Sequence, residues 1–133
     1  MRERILIVDD NQFAADSLAR IVKIVGYDVT TAYSGQRALE QIATLQPDLA
    51  LIDIGMPDLD GFEVARQVRQ QCRVPPIILV ALTAWAREED QRLAYKSGFD
   101  RHVAKPISLE SLRNVLAMLD NGQQGGRGNL REP

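Results

Sequence analysis

Asp9 and Asp10 stand directly after the apolar run Ile5–Val8, Asp53 after Leu49–Ile52, and Thr83 after Ile77–Leu82. Lys105, followed by Pro106, stands after Arg101–Ala104. Three carboxylates gathered in one place repel each other and raise each other's pKa unless a cation sits among them. Oxygen donors in so small a number select a hard ion that keeps several of its waters, which points to Mg²⁺ rather than zinc. Such an ion bridges a carboxylate and a phosphoryl oxygen and draws charge from a phosphorus under attack. A carboxylate beside it can act as a nucleophile and form an acyl phosphate. Thr83 and Lys105 would then donate to the remaining phosphoryl oxygens. Any one of these residues alone reads as a solvated loop residue. Their joint position behind apolar runs is what carries the argument.

These side chains meet only if the segments before them lie side by side. Ile5–Val8, Leu49–Ile52 and Ile77–Leu82 have no polar interruption, as suits strands covered on both faces. Asp28–Ala32 and Arg101–Ala104 are weaker strand candidates. Between them lie stretches of helical period. Ala14, Leu18, Ile21, Val22 and Val25 form one stripe, stopped by Gly26. Ala38, Leu39 and Ile42 form a second, closed before Pro47, and Gly61, Val64, Ala65 and Val68 form a third. Leu109, Leu112, Val115, Leu116 and Leu119 form the last, with Ser108 placed to cap it. The segment Ala86–Lys96 has a thin apolar face (Ala86, Leu93, Ala94) and is expected to be the loosest helix. Five strands alternating with five helices describe an α/β protein, a parallel sheet with helices on both faces. In such an open sheet, ligands bind beyond the carboxyl ends of the strands, where all five polar residues fall. No repeat of fixed period is visible.

The chain has 133 residues, of which 45% are apolar and 26% charged, enough to bury the core of one domain. A formal net charge of −2 argues against a nucleic-acid binder held by phosphate attraction. The longest apolar run, Ile77–Leu82, is far short of the ~20 residues that cross a bilayer. The acids that follow Ile5–Val8 are unlike a secretion signal. A single cysteine, Cys72, excludes an internal disulfide framework and a multi-cysteine zinc site. These features describe a cytoplasmic domain with no direct membrane contact. Residues 1–120 make up the domain, and residues 121–133, glycine-rich and without apolar period, read as a flexible tail or linker.

The sequence resembles the receiver domains of two-component response regulators from Arg4 to Leu119. The resemblance is carried by Ile-Leu-Ile-Val-Asp9-Asp10-Asn, by Leu-Ile-Asp53-Ile-Gly-Met56-Pro57 with Asp60-Gly61 behind it, by Ala-Leu-Thr83-Ala, and by Lys105-Pro106. It implies a flavodoxin-like (βα)5 doubly wound sheet with strand order 2-1-3-4-5. It also implies Asp53 as the residue phosphorylated by a partner histidine, on a histidine kinase or a histidine phosphotransfer domain. Asp10, Asp53 and the backbone carbonyl of Gly55 would hold Mg²⁺, with Asp9 helping through water. Thr83 and Lys105 would contact the phosphoryl group, and the Lys105–Pro106 bond is cis in many members. The output is a change in the surface of the fourth helix, fifth strand and fifth helix, read by a downstream protein. The domain would catalyse only its own phosphorylation and dephosphorylation and is not otherwise an enzyme. The wording around the motifs is most like receivers attached to hybrid sensor histidine kinases, and single-domain regulators share it.

Two positions depart from the family pattern. His102 stands where receivers usually carry Tyr or Phe, which implies an altered, muted or pH-sensitive switch, against the plainer reading of a solvated edge-strand histidine. Gly55 offers no side chain to orient or block an attacking water. Other readings fit less well. Asp58, Asp60 and Gly61 resemble part of a calcium loop, yet the alignment puts Met56 at the first ligand and Gln67 at the closing glutamate. A haloacid dehalogenase would carry Asp-x-Asp at the first strand, and a flavin site would not place Asp9-Asp10 against a phosphate. A pseudo-receiver that binds partners without phosphorylation is opposed by the complete acceptor, metal and lysine positions. Of the remaining residues, Phe13 is expected half-exposed near the metal site, Trp85 either over the site or facing a partner, and Cys72 an incidental thiol. The run Arg87-Glu88-Glu89-Asp90 reads as a solvated helix face, and the resemblance also puts it on the output surface of the fourth helix, fifth strand and fifth helix.

Overall fold

The computed structural model describes residues 3–71, 73, 75–84 and 87–123, the last three by their backbone alone. Five strands alternate with five helices: β1 (Arg4–Val8), α1 (Gln12–Val25), β2 (Asp28–Ala32), α2 (Gly35–Leu45), β3 (Leu49–Asp53), α3 (Gly61–Arg69), β4 (Ile78–Thr83), α4 (Glu88–Ser97), β5 (Arg101–Ala104) and α5 (Leu109–Gln123). The strands form one parallel sheet in the order β2-β1-β3-β4-β5. This is the flavodoxin-like doubly wound topology, whose strand order reverses between β1 and β3.

The uninterrupted apolar runs become the three central strands, and alternation splits each between two cores. Leu6, Val8, Ala50, Ile52, Leu79 and Ala81 face α2, α3 and α4, packing with Ala38, Ile42, Val64, Ala65, Val68 and Phe99. Ile5, Ile7, Leu49, Leu51, Ile78, Val80 and Leu82 face α1 and α5, packing with Ala15, Val22, Leu112, Val115, Leu116 and Leu119. The edge strands β2 and β5 are only half-buried, and their sequences are correspondingly mixed.

Local signals fix the helix ends. Asn11 accepts the Ala14 N–H, Ser34 that of Arg37, and Asp60 that of Glu63. Gly26 closes α1 at φ 122°, a conformation costly for any residue with a Cβ. Ser108 caps α5 as expected, its Oγ accepting the Ser111 N–H at 3.0 Å. Asp60-Gly61 is thus a helix start, and the calcium-like fragment has a structural use.

Three expectations need correction. The buried face of α1 is centred on Ala15 and Val22, with Leu18 and Ala19 beside them, so Ile21 and Val25 are exposed. In α4 Leu93 is exposed as well, leaving Ala94 and Ser97 as its buried residues; Ala86 lies outside the described residues. In α5 Leu109, expected on the buried stripe, is exposed because it stands at the first turn, and the helix runs on to Gln123.

Candidate functional site

Parallel pairing brings the last residues of β1, β3, β4 and β5 to one edge. The Asp9 N–H donates to the Ala32 carbonyl at 3.1 Å, and the Lys105 N–H to the Thr83 carbonyl at 2.8 Å, which carries the ladder past the strand ends. Asp9, Asp53 and Thr83 are buried there and Asp10 is exposed. One carboxylate oxygen from each of Asp9, Asp10 and Asp53 lies within 4.8 Å of the others. The Lys105 Nζ donates to Asp9 Oδ2 at 3.0 Å and to Asp53 Oδ2 at 3.3 Å. The other oxygens of these acids are held by backbone: Asp9 Oδ1 by the Asn11 N–H and Asp53 Oδ1 by the Gly55 N–H, both at 3.0 Å. The Lys105–Pro106 bond is cis.

Burial pushes the Asp53 carboxyl above the ordinary aspartate range. The Gly55 N–H and the Lys105 charge pull it back in part, while Asp9 adds to the rise. For Lys105 burial acts downward, but the bonds and fields of Asp9 and Asp53 together outweigh it and hold the ammonium above the usual lysine value. The lysine therefore stays charged over the working pH range and neutralises one of the three acids.

A cavity of about 400 Å³ opens at the Asp53 and Lys105 side of this cluster, lined by Asp53, Ile54, Gly55, Phe62, Thr83, Ala84, Arg87, Asp90 and Lys105; Asp9 and Asp10 are not among its wall residues. The expected site residues thus meet at one edge of the sheet. Phe62, Arg87 and Asp90 were not singled out as lining residues. Their signal was position: each lies in or just before the first turn of a helix that follows a site-bearing strand. Arg87 and Asp90 are cavity wall rather than only a solvated face. Phe13 is 82% exposed, more than expected. His102 is half-buried, and its Nδ1 lies 3.1 Å from the Tyr95 hydroxyl with the two rings edge to face, so it is not simply solvated. Burial lowers its pKa. Trp85 and Cys72 lie outside the described residues.

The family model of the response regulator receiver domain matches residues 5–117. The chain belongs to this family. Receivers are the signalling domains of phosphorylation-based two-component systems. The chain is 41% identical over 108 residues to the alkaline phosphatase synthesis transcriptional regulatory protein PhoP of Bacillus subtilis; the match covers 81% of this chain and 44% of that relative's length. Among solved structures, a CheY-like receiver domain protein of Methanospirillum hungatei superimposes with a TM-score of 0.85 at 30% identity, over 95% of this chain and 100% of that one. The Saccharomyces cerevisiae Ssk1 receiver, crystallised with the histidine phosphotransfer protein Ypd1, gives a TM-score of 0.85 at 27% identity over 92% of this chain and 91% of that one. Among the described residues of this receiver, no helix is long and apolar enough to cross a membrane.

Proposed function

We propose that this receiver takes a phosphoryl group onto Asp53 from the phosphohistidine of a kinase or a histidine phosphotransfer protein in the cytoplasm. The observation that carries this is the Lys105 ammonium bonded to both Asp9 and Asp53 beneath an open cavity. The donor set fits Mg²⁺: oxygen ligands only, clustered, and still negative after Lys105 is counted. Asp10, Asp53 and the Gly55 carbonyl would hold the ion, with Asp9 through water, and it would supply charge neutralisation at the phosphoryl oxygens.

The chain's own residues do the rest. The Gly55 N–H and Lys105 hold the Asp53 carboxylate facing the cavity. An Asp53 oxygen forms a bond to phosphorus as the donor's N–P bond breaks, and the released imidazole keeps the electron pair and takes a proton from water. Thr83 and Lys105 donate to the phosphoryl oxygens, which biases the segments that carry them and, through these, the α4, β5 and α5 surface offered to a downstream protein. Attack by water later breaks the O–P bond, releases phosphate and restores the carboxylate. Incubation with Mg²⁺ and acetyl phosphate should add one phosphoryl mass to the intact chain, and Asp53→Ala should abolish the gain. No gain with or without Mg²⁺ would favour a pseudo-receiver that binds without phosphorylation.

A further inference from the structure

The acceptor cavity has a second cation on its wall. Arg87 lines it together with Asp53, Thr83 and Lys105, and Asp90 stands on the same wall. Arg87 is the residue just before α4, and its side chain makes no capping bond to that helix. Its Nε lies 3.6 Å from Asp90 Oδ2 and its Nη1 3.8 Å from Glu89 Oε1, distances beyond a direct hydrogen bond, and the Arg87 and Glu89 side chains are mostly exposed. These two ion pairs are long and solvated, and a phosphoryl anion competes with them for the guanidinium on favourable terms.

Phosphorylation supplies that anion. Asp9, Asp10 and Asp53 with Lys105 give the cluster a formal charge of −2, which a divalent cation neutralises. Exchanging the Asp53 charge for a phosphoryl dianion leaves about one negative charge unbalanced. Lys105 is already shared between two acids, and Asp90 adds repulsion from the wall. A guanidinium presents paired donors that match phosphoryl oxygens, and Arg87 is the cation on the wall besides Lys105 among the described residues.

We propose that Arg87 is a phosphoryl-binding residue of this site, which leaves Asp90 and Glu89 for the phosphoryl oxygens when Asp53 is loaded and so ties the start of α4 to the phosphorylated state. This rests on the acceptor reading of Asp53. The probe is beryllofluoride in saturating Mg²⁺, followed on the full chain by ¹⁹F NMR, with Mg²⁺ affinity measured separately by calorimetry. Arg87→Gln should weaken beryllofluoride binding about three- to ten-fold, the worth of a largely exposed charged hydrogen bond, without weakening Mg²⁺. Arg87→Lys should recover part of the loss, and Asp90→Asn should tighten binding. Equal beryllofluoride affinity in the parent and Arg87→Gln would overturn the proposal, as would weaker binding by Asp90→Asn. A parent that binds no beryllofluoride would defeat the acceptor reading itself, so the two failures are told apart.

Discussion

Replacing Asp10 by asparagine should make the fold more stable and the site worse. The Asp10 carboxylate is exposed, and an oxygen of it lies within 4.8 Å of both Asp9 and Asp53. At 4.8 Å, with the dielectric of water that an exposed group requires, each like-charge pair costs about 0.9 kcal/mol. Lys105, bonded to the same two acids, cancels roughly one of the two pairs, so about 1 kcal/mol of strain remains at low salt. Asp10→Asn should therefore melt about 3–6 °C above the parent in EDTA. Mg²⁺ reverses the order. The parent gains about 1.4 kcal/mol per decade of Mg²⁺ above its Kd, and the variant, one carboxylate poorer, begins to gain only at higher concentration. The two melting curves should cross near ten times the parent's Kd, which a calorimetric Mg²⁺ titration of both proteins would show. A variant that melts below the parent in EDTA, or that gains as much from each Mg²⁺ addition, would refute the electrostatic account of this cluster.

Lys105→Ala should keep or tighten Mg²⁺ binding, because the ammonium competes for Asp9 Oδ2 and Asp53 Oδ2. Amide shifts induced by beryllofluoride in α4 and β5 should largely disappear, and equal loss of metal binding would show that these roles are not separable. For Asp53, the folded-state pKa is raised, so the folded state holds the proton more readily than the unfolded chain, and ionisation costs stability as pH rises through the raised value. Asp53→Asn should accordingly gain on the parent from about pH 4 to neutrality without metal, and the gap should close below the ordinary aspartate pKa of ~3.9. Urea unfolding at several pH values measures this, and a gap that widens toward acid would contradict the sign. Gly61→Ala should cost about 1–3 kcal/mol in urea unfolding. A Cβ there would meet the Ile54 Cα at 2.7 Å and the Asp53 carbonyl oxygen at 2.9 Å, backbone atoms that cannot swing aside. A neutral substitution would mean that the β3–α3 junction is looser than the structure describes.

How much of this was legible in sequence depends on where each constraint acts. The runs that become β1, β3 and β4 were plain because a strand buried on both faces tolerates no polar residue, and the first polar residue after each must then lie at the carboxyl edge. The α1 face was misread because that helix carries more apolar residues than its buried face needs; with Ile21, Ile24 and Val25 exposed, the stripe has no unique phase. Tyr95 as the partner of His102 could not be read, since their meeting depends on how α4 packs beside β5. Arg87 and Asp90 were hidden for a different reason. Acids at a helix start are expected for the dipole alone, an arginine beside them reads as their ion-pair partner, and only the tertiary wall separates Arg87 and Asp90 from Glu88 and Glu89. The acids at the strand ends carry a stronger signal, because the N–H groups two residues on offset only part of their burial. Asp9 and Asp53 are buried against an ammonium 96 and 52 residues away. A chain that kept these acids only for solubility would have left them in water, so the cost of burying them argues against an incidental role and in favour of the one proposed above.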